Sequence, residues 1–257
     1  MVFPKIDSKK ETKRVLSFIQ KTVHREGFSK AIVACSGGID SSLVLTLASK
    51  SLGKDNVLAL KLPMANQSMI LANLAISFAG IAPENIFEIK IKKPVEKIAE
   101  KMFFKSRGAD LRQGNIAVRT RMIYLYDLAK ARRILVCGTS NRSEHLLGYF
   151  TRYGDEAADL APLLHLYKTQ VLKLAEHLEL PKEIIEATPS AGMWKGQTDE
   201  DELGFSYAEA DPILHLFCDK KIKKSQIIKK GFDRKLVEKV IKRVKENEFK
   251  HKVPYSL

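Results

Sequence analysis

The sequence predicts an α/β fold: an open, mainly parallel twisted sheet with helices on both faces. Two observations predict it. Short apolar runs alternate with helical stretches along the first 140 residues, which is the order of a sheet built by right-handed crossovers. Three loop segments, Ser36–Ser42, Leu62–Gln67 and Gly138–Glu144, follow the carboxyl ends of apolar runs, where sheets of this kind bind ligands. At 257 residues and 45% hydrophobic content, the chain has material for one domain with a full core, and residues 1–257 are read as that single domain.

Lys9 to Gly27 is a helix with Val15, Leu16, Ile19 and Val23 on its apolar stripe and Gly27 as its stop. Ala31 to Cys35 is the first strand, and Ile39 to Leu52 the helix after it. Val57 to Leu62 is the second strand, ended by Pro63, and Ser68 to Ala79 is helical. Ile86 to Ile91 is the third strand, Pro94 to Lys105 another helix, and a long helix runs from Ile116 to Ala131. Ile134 to Cys137 is the fourth strand. Beyond it the strand signal fades into two long polar segments, Gly148 to Pro162 and Pro189 to Gly204, with a helix from Lys168 to Leu178 between them. The segment Asp233 to Glu246 is amphipathic: Asp233 fits its N-cap, and Leu236, Val237, Val240, Ile241 and Val244 share a face.

The first strand and helix enclose Ser36-Gly37-Gly38-Ile39-Asp40-Ser41-Ser42. A tight turn into a helix leaves the first backbone N–H groups unpaired, and the helix dipole adds positive charge there. The glycines let a ligand approach the backbone and the serines add hydroxyl donors, so the turn suits an anion such as phosphate. It lacks the Lys-Ser/Thr pair of the common kinase loop and the three spaced glycines of a dinucleotide fingerprint. Asp40, an acid inside an anion-seeking loop, is accounted for by a Mg²⁺ bridging it to phosphate oxygens.

The net charge is +14, and the last 40 residues hold 14 Lys or Arg against five Asp or Glu. The amphipathic pattern of Asp233–Glu246 turns these lysines to solvent, so no nucleic-acid partner is expected. Cys35, Cys137 and Cys218 are too scattered for a disulfide framework or a metal motif. No stretch is long and apolar enough to cross a membrane, and no signal core opens the chain, so the cytoplasm is the expected compartment.

Three later strings carry more. Gly138-Thr139-Ser140-Asn141-Arg142-Ser143-Glu144 also reads as a capped helix start, with Asn141 or Ser140 as cap and Glu144 completing a capping box. Thr151-Arg152-Tyr153-Gly154-Asp155 and Pro189-Ser190-Ala191-Gly192-Met193-Trp194-Lys195-Gly196-Gln197-Thr198-Asp199-Glu200 are more specific, as is Gln113-Gly114-Asn115 leading into Arg119-Thr120-Arg121-Met122. With the Ser-Gly-Gly loop, these strings resemble the ammonia-dependent NAD synthetase family of the ATP pyrophosphatases, across Lys9 to Val253. The resemblance implies an adenine nucleotide alpha-hydrolase-like sheet and a reaction in which deamido-NAD, ATP and ammonia give NAD, AMP and pyrophosphate.

The resemblance also assigns residues. Ala34, Cys35, Ser36, Gly37, Gly38, Ile39, Asp40 and Ser41 hold the pyrophosphate end of ATP, which Thr139, Lys168 and Ser190 also contact. Asp40 and Lys168 are the catalytic pair, and Asp40 and Glu144 the Mg²⁺ ligands. Arg119, Arg152, Asp159, His251 and Lys252 match the deamido-NAD contacts. Arg152 stands where the family commonly has Lys, and Ser190 where it often has Thr. The resemblance further implies a homodimer, with the helix after Asn115 at its interface. Glutamine-dependent relatives carry an extra amidase domain, and none is expected here, so free ammonia is the expected donor. Asp155 and Asp199 are both candidates to take the proton from ammonium. The loop Ser190–Gly204, which holds the single Trp194, is expected to order over the site.

Two other classes compete. A tRNA-modifying enzyme sharing the ATP loop would use the basic C-terminal region, but the thiolating members carry paired cysteines. A non-catalytic nucleotide-binding protein would need no pair of metal-ligating carboxylates.

Overall fold

The computed structural model describes residues 3–65, 67–101, 109–190, 196–252 and 254–255. In chain order it runs α1 (Ser8–Arg25), β1 (Ala31–Ala34), α2 (Ile39–Leu52), β2 (Val57–Lys61), α3 (Ile70–Phe78), β3 (Ile86–Glu88), α4 (Lys92–Lys101), α5 (Ala109–Arg132) and β4 (Leu135–Val136). There follow α6 (Arg142–Leu147), α7 (Lys168–His177), α8 (Lys182–Ile185), α9 (Asp199–Leu203), α10 (Tyr207–Leu214), α11 (Lys224–Lys229) and α12 (Arg234–Asn247).

The four strands form an all-parallel sheet in the order β3-β2-β1-β4, with Ala31 level with Val57 on one side and Leu135 on the other. Alternate residues of a strand face opposite sides. Accordingly Ala31 and Val33 enter one core with Ile19, Leu43 and Leu174 from α1, α2 and α7, while Ile32 enters the other with Val95 and Leu125 from α4 and α5. Helices therefore cover both faces, as the apolar strands require. A third core joins α6, α10, α11 and α12 through Leu147, Ile213, Ile227, Val237 and Val240. Asp233 caps α12 by accepting from the Leu236 N–H at 2.8 Å, and the expected apolar stripe is the face that packs.

The strand order reverses direction in sequence between β1 and β4, and the crevice beyond their carboxyl ends is where sheets of this kind bind ligands. All four strands are shorter than the apolar runs suggest, β1 and β2 by one residue and β3 and β4 by more. β3 ends at Glu88, yet Ile89 N–H still donates to Lys61 O at 2.9 Å and Ile91 N–H to Pro63 O at 3.1 Å, so the chain keeps tracking β2. β4 is two residues long, and its outer edge is met by Asp159 and Leu160: Asp159 Oδ2 accepts from the Val136 N–H at 2.7 Å, and Val136 O accepts from the Asp159 N–H at 2.9 Å and the Leu160 N–H at 3.2 Å. Cys137 then pairs with Leu160 as a single parallel bridge. α5 starts seven residues before the expected Ile116, and Gln113-Gly114-Asn115 lies inside it rather than ahead of it. Of the expected helix Pro94–Lys105, residues 102–105 lie outside the described residues, as does the expected loop tryptophan at 194.

Candidate active site

The turn after β1 is built on Gly37, whose φ of +88° is a left-handed conformation. A Cβ at Gly37 would lie 2.5 Å from the Ala72 backbone nitrogen, so α3 packs directly on the loop. Ser36 Oγ accepts from the Gly38 N–H at 3.3 Å and lies 3.1 Å from Ser41 Oγ, while Ser41 and Ser42 hydroxyls donate to Gly38 O at 3.0 and 2.9 Å. Gly38 is the N-cap of α2 and offers no side chain to its N–H groups, so the dipole end of a 14-residue helix opens at the loop. Cys35 is buried with its thiol on Ala72 O, and burial pushes that thiol up to about 11. It is a packing residue of the loop.

Asp40, in the first turn of α2, meets two residues that arrive from far along the chain. Its Oδ2 accepts from Lys168 Nζ at 2.5 Å and its Oδ1 from Asn141 Nδ2 at 2.9 Å. Lys168 Nζ also donates to Glu144 Oε1 at 3.2 Å. Asn141, fully buried, holds the arrangement together: its Oδ1 caps α6 at the Glu144 N–H, and Glu144 Oε2 accepts from the Asn141 N–H. The capping box expected of this string is present, and its Glu144 also accepts from Lys168.

Lys168 is only 8% exposed, and its ammonium stands 5.4 Å from the Tyr207 ring centre. Burial pulls this ammonium down, but the Asp40 and Glu144 carboxylates outweigh it and hold the group charged well above the ordinary lysine value. Burial, helped by the Asp40 and Asp199 carboxylates and opposed by Lys168, pushes Glu144 up to about 8. Asp199, at 4% exposure, has one oxygen accepting from Tyr207 OH at 3.1 Å and the other without a hydrogen bond among the described residues. Three acids thus surround one ammonium. The donor set suits Mg²⁺, which takes one or two carboxylates and completes its shell with phosphate oxygens and water.

The site rests on Asp211, which nothing in the sequence reading singled out. This fully buried acid of α10 accepts from Ser143 OH at 2.5 Å, from the Thr169 N–H at 3.0 Å and from the Thr169 hydroxyl at 2.7 Å. Ser143 Oγ in turn accepts from the Lys168 N–H at 2.8 Å. Asp211 therefore fixes the first turn of α7 against α6 and sets where Lys168 points. Its signal was weak: an isolated Asp ahead of Pro212 reads as a helix break, whereas α10 runs through that proline.

Of the residues matched to the dinucleotide, His251 lines a cavity and the others do not. A cavity of about 440 Å³ is lined by Tyr126, His145, Tyr153, Glu156, Lys250 and His251 among others. His251 lines it directly. Asp159 reaches its wall through Tyr126 OH at 3.5 Å, although its main partner is the Val136 N–H. Arg119 donates to Arg152 O at 3.2 Å, and Arg152 lies 5.5 Å from the ring centres of Tyr153 and Phe249. Asn115 accepts from Thr151 OH at 2.8 Å, joining two of the sequence strings. Lys252 instead pairs with Glu248 at 2.8 Å on the surface. Thr139 lies half-buried after β4, and Ser190 is exposed next to residues 191–195, which lie outside the described residues. Of the two candidate proton acceptors, Asp155 accepts from the Thr151 N–H at 2.7 Å and Asp199 lies beside the Lys168 ammonium, and burial raises both carboxyls.

A family model described as NAD synthase matches residues 11–254. NH(3)-dependent NAD(+) synthetases of Chlorobium phaeobacteroides strain BS1 and Thermococcus sibiricus are 40% and 42% identical to this chain, over 93% and 97% of it and 86% and 97% of their own lengths. Among solved structures, an NMN synthetase from Francisella tularensis superposes with a TM-score of 0.84 at 30% identity, covering 98% of this chain and 99% of that one. An NH3-dependent NAD synthetase from Campylobacter jejuni superposes with a TM-score of 0.81, also at 30% identity, covering 98% and 100%.

Proposed function

The chain belongs to the NAD synthase family, and from that membership we propose that it amidates deamido-NAD with free ammonia, cleaving ATP to AMP and pyrophosphate. The observation that carries the reading is the convergence of Asp40 and Glu144 on the Lys168 ammonium, beside a turn suited to an anion, in a chain that aligns over 97% of its length with a synthetase named for ammonia.

A carboxylate has no leaving group, so it must be activated. The nicotinate carboxylate oxygen bonds to the α-phosphorus of ATP, the bond to the β-phosphate breaks, and pyrophosphate departs. Ammonia then adds to the acyl carbon and loses a proton, and AMP leaves with its oxygen. The turn Ser36–Gly38 and the open end of α2 take the negative charge of pyrophosphate, and Lys168, reoriented from its two acids, adds a full positive charge. Asp40 and Glu144 would hold Mg²⁺, which supplies neutralisation of the phosphate charge when bound. Asp199 would accept the ammonium proton, since it pairs a free carboxylate oxygen with burial near the same centre. The dinucleotide would extend from this centre into the 440 Å³ cavity past His251 and Arg152.

The test is product formation with purified protein, Mg-ATP and deamido-NAD, comparing ammonium with glutamine and measuring AMP, ADP and NAD. Equal amounts of AMP and NAD with ammonium alone are expected; ADP formation or a strict need for glutamine would overturn the mechanism. The Francisella likeness favours one second reading, in which the acceptor is the mononucleotide. The same assay with nicotinate mononucleotide decides it, and the dinucleotide is expected to be preferred because the named sequence relatives are NAD synthetases.

A homodimer and a cytoplasmic setting complete the proposal. Among the described residues no helix is long and apolar enough to cross a membrane, and the three cysteines are unpaired, as a reducing compartment keeps them. On α5, whose other side packs on the sheet, Ile123 is 57% exposed and Leu111 49%. Exposed aliphatic side chains on a long helix suit a second copy. Light scattering after gel filtration is expected to give twice the 29.0 kDa chain mass, and Ile123→Arg to give the monomer.

A further inference from the structure

We propose that His145, Glu156 and His251 form a site for a transition metal of the zinc class, separate from the two-carboxylate Mg²⁺ position. The three side chains each present one ligand atom, all within 4.8 Å of one another, and among the described residues they are the one such group of His, Cys, Asp or Glu. His145 Nδ1 lies 3.9 Å from Glu156 Oε1, and the two imidazole rings have centres 4.2 Å apart. His251 Nδ1 is buried with no hydrogen-bond partner among the described residues, a cost that a ligated metal would remove.

The geometry is close to closing. A tetrahedral zinc with bonds of about 2.1 Å keeps its ligand atoms about 3.4 Å apart, so side-chain rotations of about 1 Å bring the three together. Two imidazoles and one carboxylate select zinc, cobalt, nickel or copper over Mg²⁺, which demands oxygen ligands. Phe150 flanks both imidazoles at 6.0 and 5.5 Å, and Lys250, which lines the same cavity, donates its ammonium to Gly148 O and Phe150 O at 2.6 and 3.0 Å rather than to Glu156. All three side chains line the 440 Å³ cavity. A metal there would occupy the space assigned above to the dinucleotide and inhibit in competition with it; that consequence rests on the proposed function, whereas the metal site does not.

Cobalt serves as the probe, because Co²⁺ at a four- or five-coordinate nitrogen site absorbs strongly in the visible and at an octahedral oxygen site only weakly. The protein is titrated with Co²⁺ in excess Mg²⁺. One equivalent per chain is expected to bind with strong visible bands. Affinity is expected to fall at least tenfold in both His145→Asn and Glu156→Gln, and to stay unchanged in Asp40→Asn. Circular dichroism checks that each variant is folded, and Glu156→Gln, half-exposed in character and conservative in shape, is the one to rely on if His145→Asn is not. Absence of strong bands in the wild type, bands unchanged in the folded variants, or bands lost in Asp40→Asn overturns the site. Adding deamido-NAD is expected to bleach the bands; bands that persist overturn the competition, and binding of Co²⁺ without any NAD synthesis by the enzyme separates failure of the functional reading from failure of the site.

Discussion

Lys168→Met is expected to lower NAD formation by about a thousandfold or more, the largest loss for a near-isosteric change in this site. One preorganised charge or donor at a developing anion contributes about 10² to 10³ in rate, and Lys168 carries a second role on top of that one. Its ammonium holds Asp40 Oδ2 at 2.5 Å and Glu144 Oε1 at 3.2 Å, so removing it leaves two acids facing each other in a buried place. Removing one partner of a buried ion pair costs about 3 kcal/mol or more. The pH dependence has a definite sign. Glu144 already stands at about 8 in the folded chain against 4.5 as an ordinary glutamate, so the folded state binds more protons between those values and stability is lost as pH rises through that window. Without the ammonium to oppose it, the fall becomes steeper. Thermal melting at pH 5 and pH 8 measures this, and Mg²⁺ is expected to raise the melting temperature of the variant more than that of the wild type. A variant that keeps its rate within tenfold would remove Lys168 from the chemistry.

What was legible in the sequence was whatever is contiguous. The strand Ala31–Ala34, the Gly-Gly turn and the helix Ile39–Leu52 are one unbroken stretch, and each signal in it is local: an apolar run, small residues, then helical spacing. The α12 cap at Asp233 was readable for the same reason. The site itself was legible only as fragments. Asp40 and Lys168 are 128 residues apart, and no periodicity brings them together; the sheet order does, by setting β1 beside β4.

The parts that were not legible depend on a side chain taking over a backbone's task. Asp159 is expected at the dinucleotide, but its carboxylate accepts from the Val136 N–H at the outer edge of β4. Asp211 gave no pattern because its partners, Ser143 and Thr169, lie 68 and 42 residues away. The start of α5 was missed because Gly114 reads as a breaker, while in the fold it is buried and its neighbour Asn115 bonds Thr151. In each case a long-range hydrogen bond overrides the local preference.

Gly37→Ala is expected to destabilise the fold by about 3 kcal/mol or more and to remove ATP binding with it. The two contributions are separable. A left-handed φ of +88° costs a residue with a Cβ about 1–2 kcal/mol, and the new methyl would sit 2.5 Å from the Ala72 nitrogen and 2.8 Å from the Leu71 carbonyl carbon. Those are backbone atoms of a packed helix, so α3 must shift, and overpacking of this kind costs about 1–3 kcal/mol. Gly38 provides the contrast. Its φ is −69°, and a Cβ there meets only Ser36 Oγ, at 3.5 Å. Gly38→Ala is therefore expected to keep wild-type stability within about 1 kcal/mol, as unstrained exposed changes do, while weakening ATP because its methyl stands where the phosphates approach the N–H groups of α2. Urea unfolding with ATP titration on both variants distinguishes the roles. If Gly38→Ala unfolds as early as Gly37→Ala, the second glycine is also there for the backbone. If both keep full stability and lose only ATP, the pair is there for the ligand, and the close approach of α3 constrains nothing.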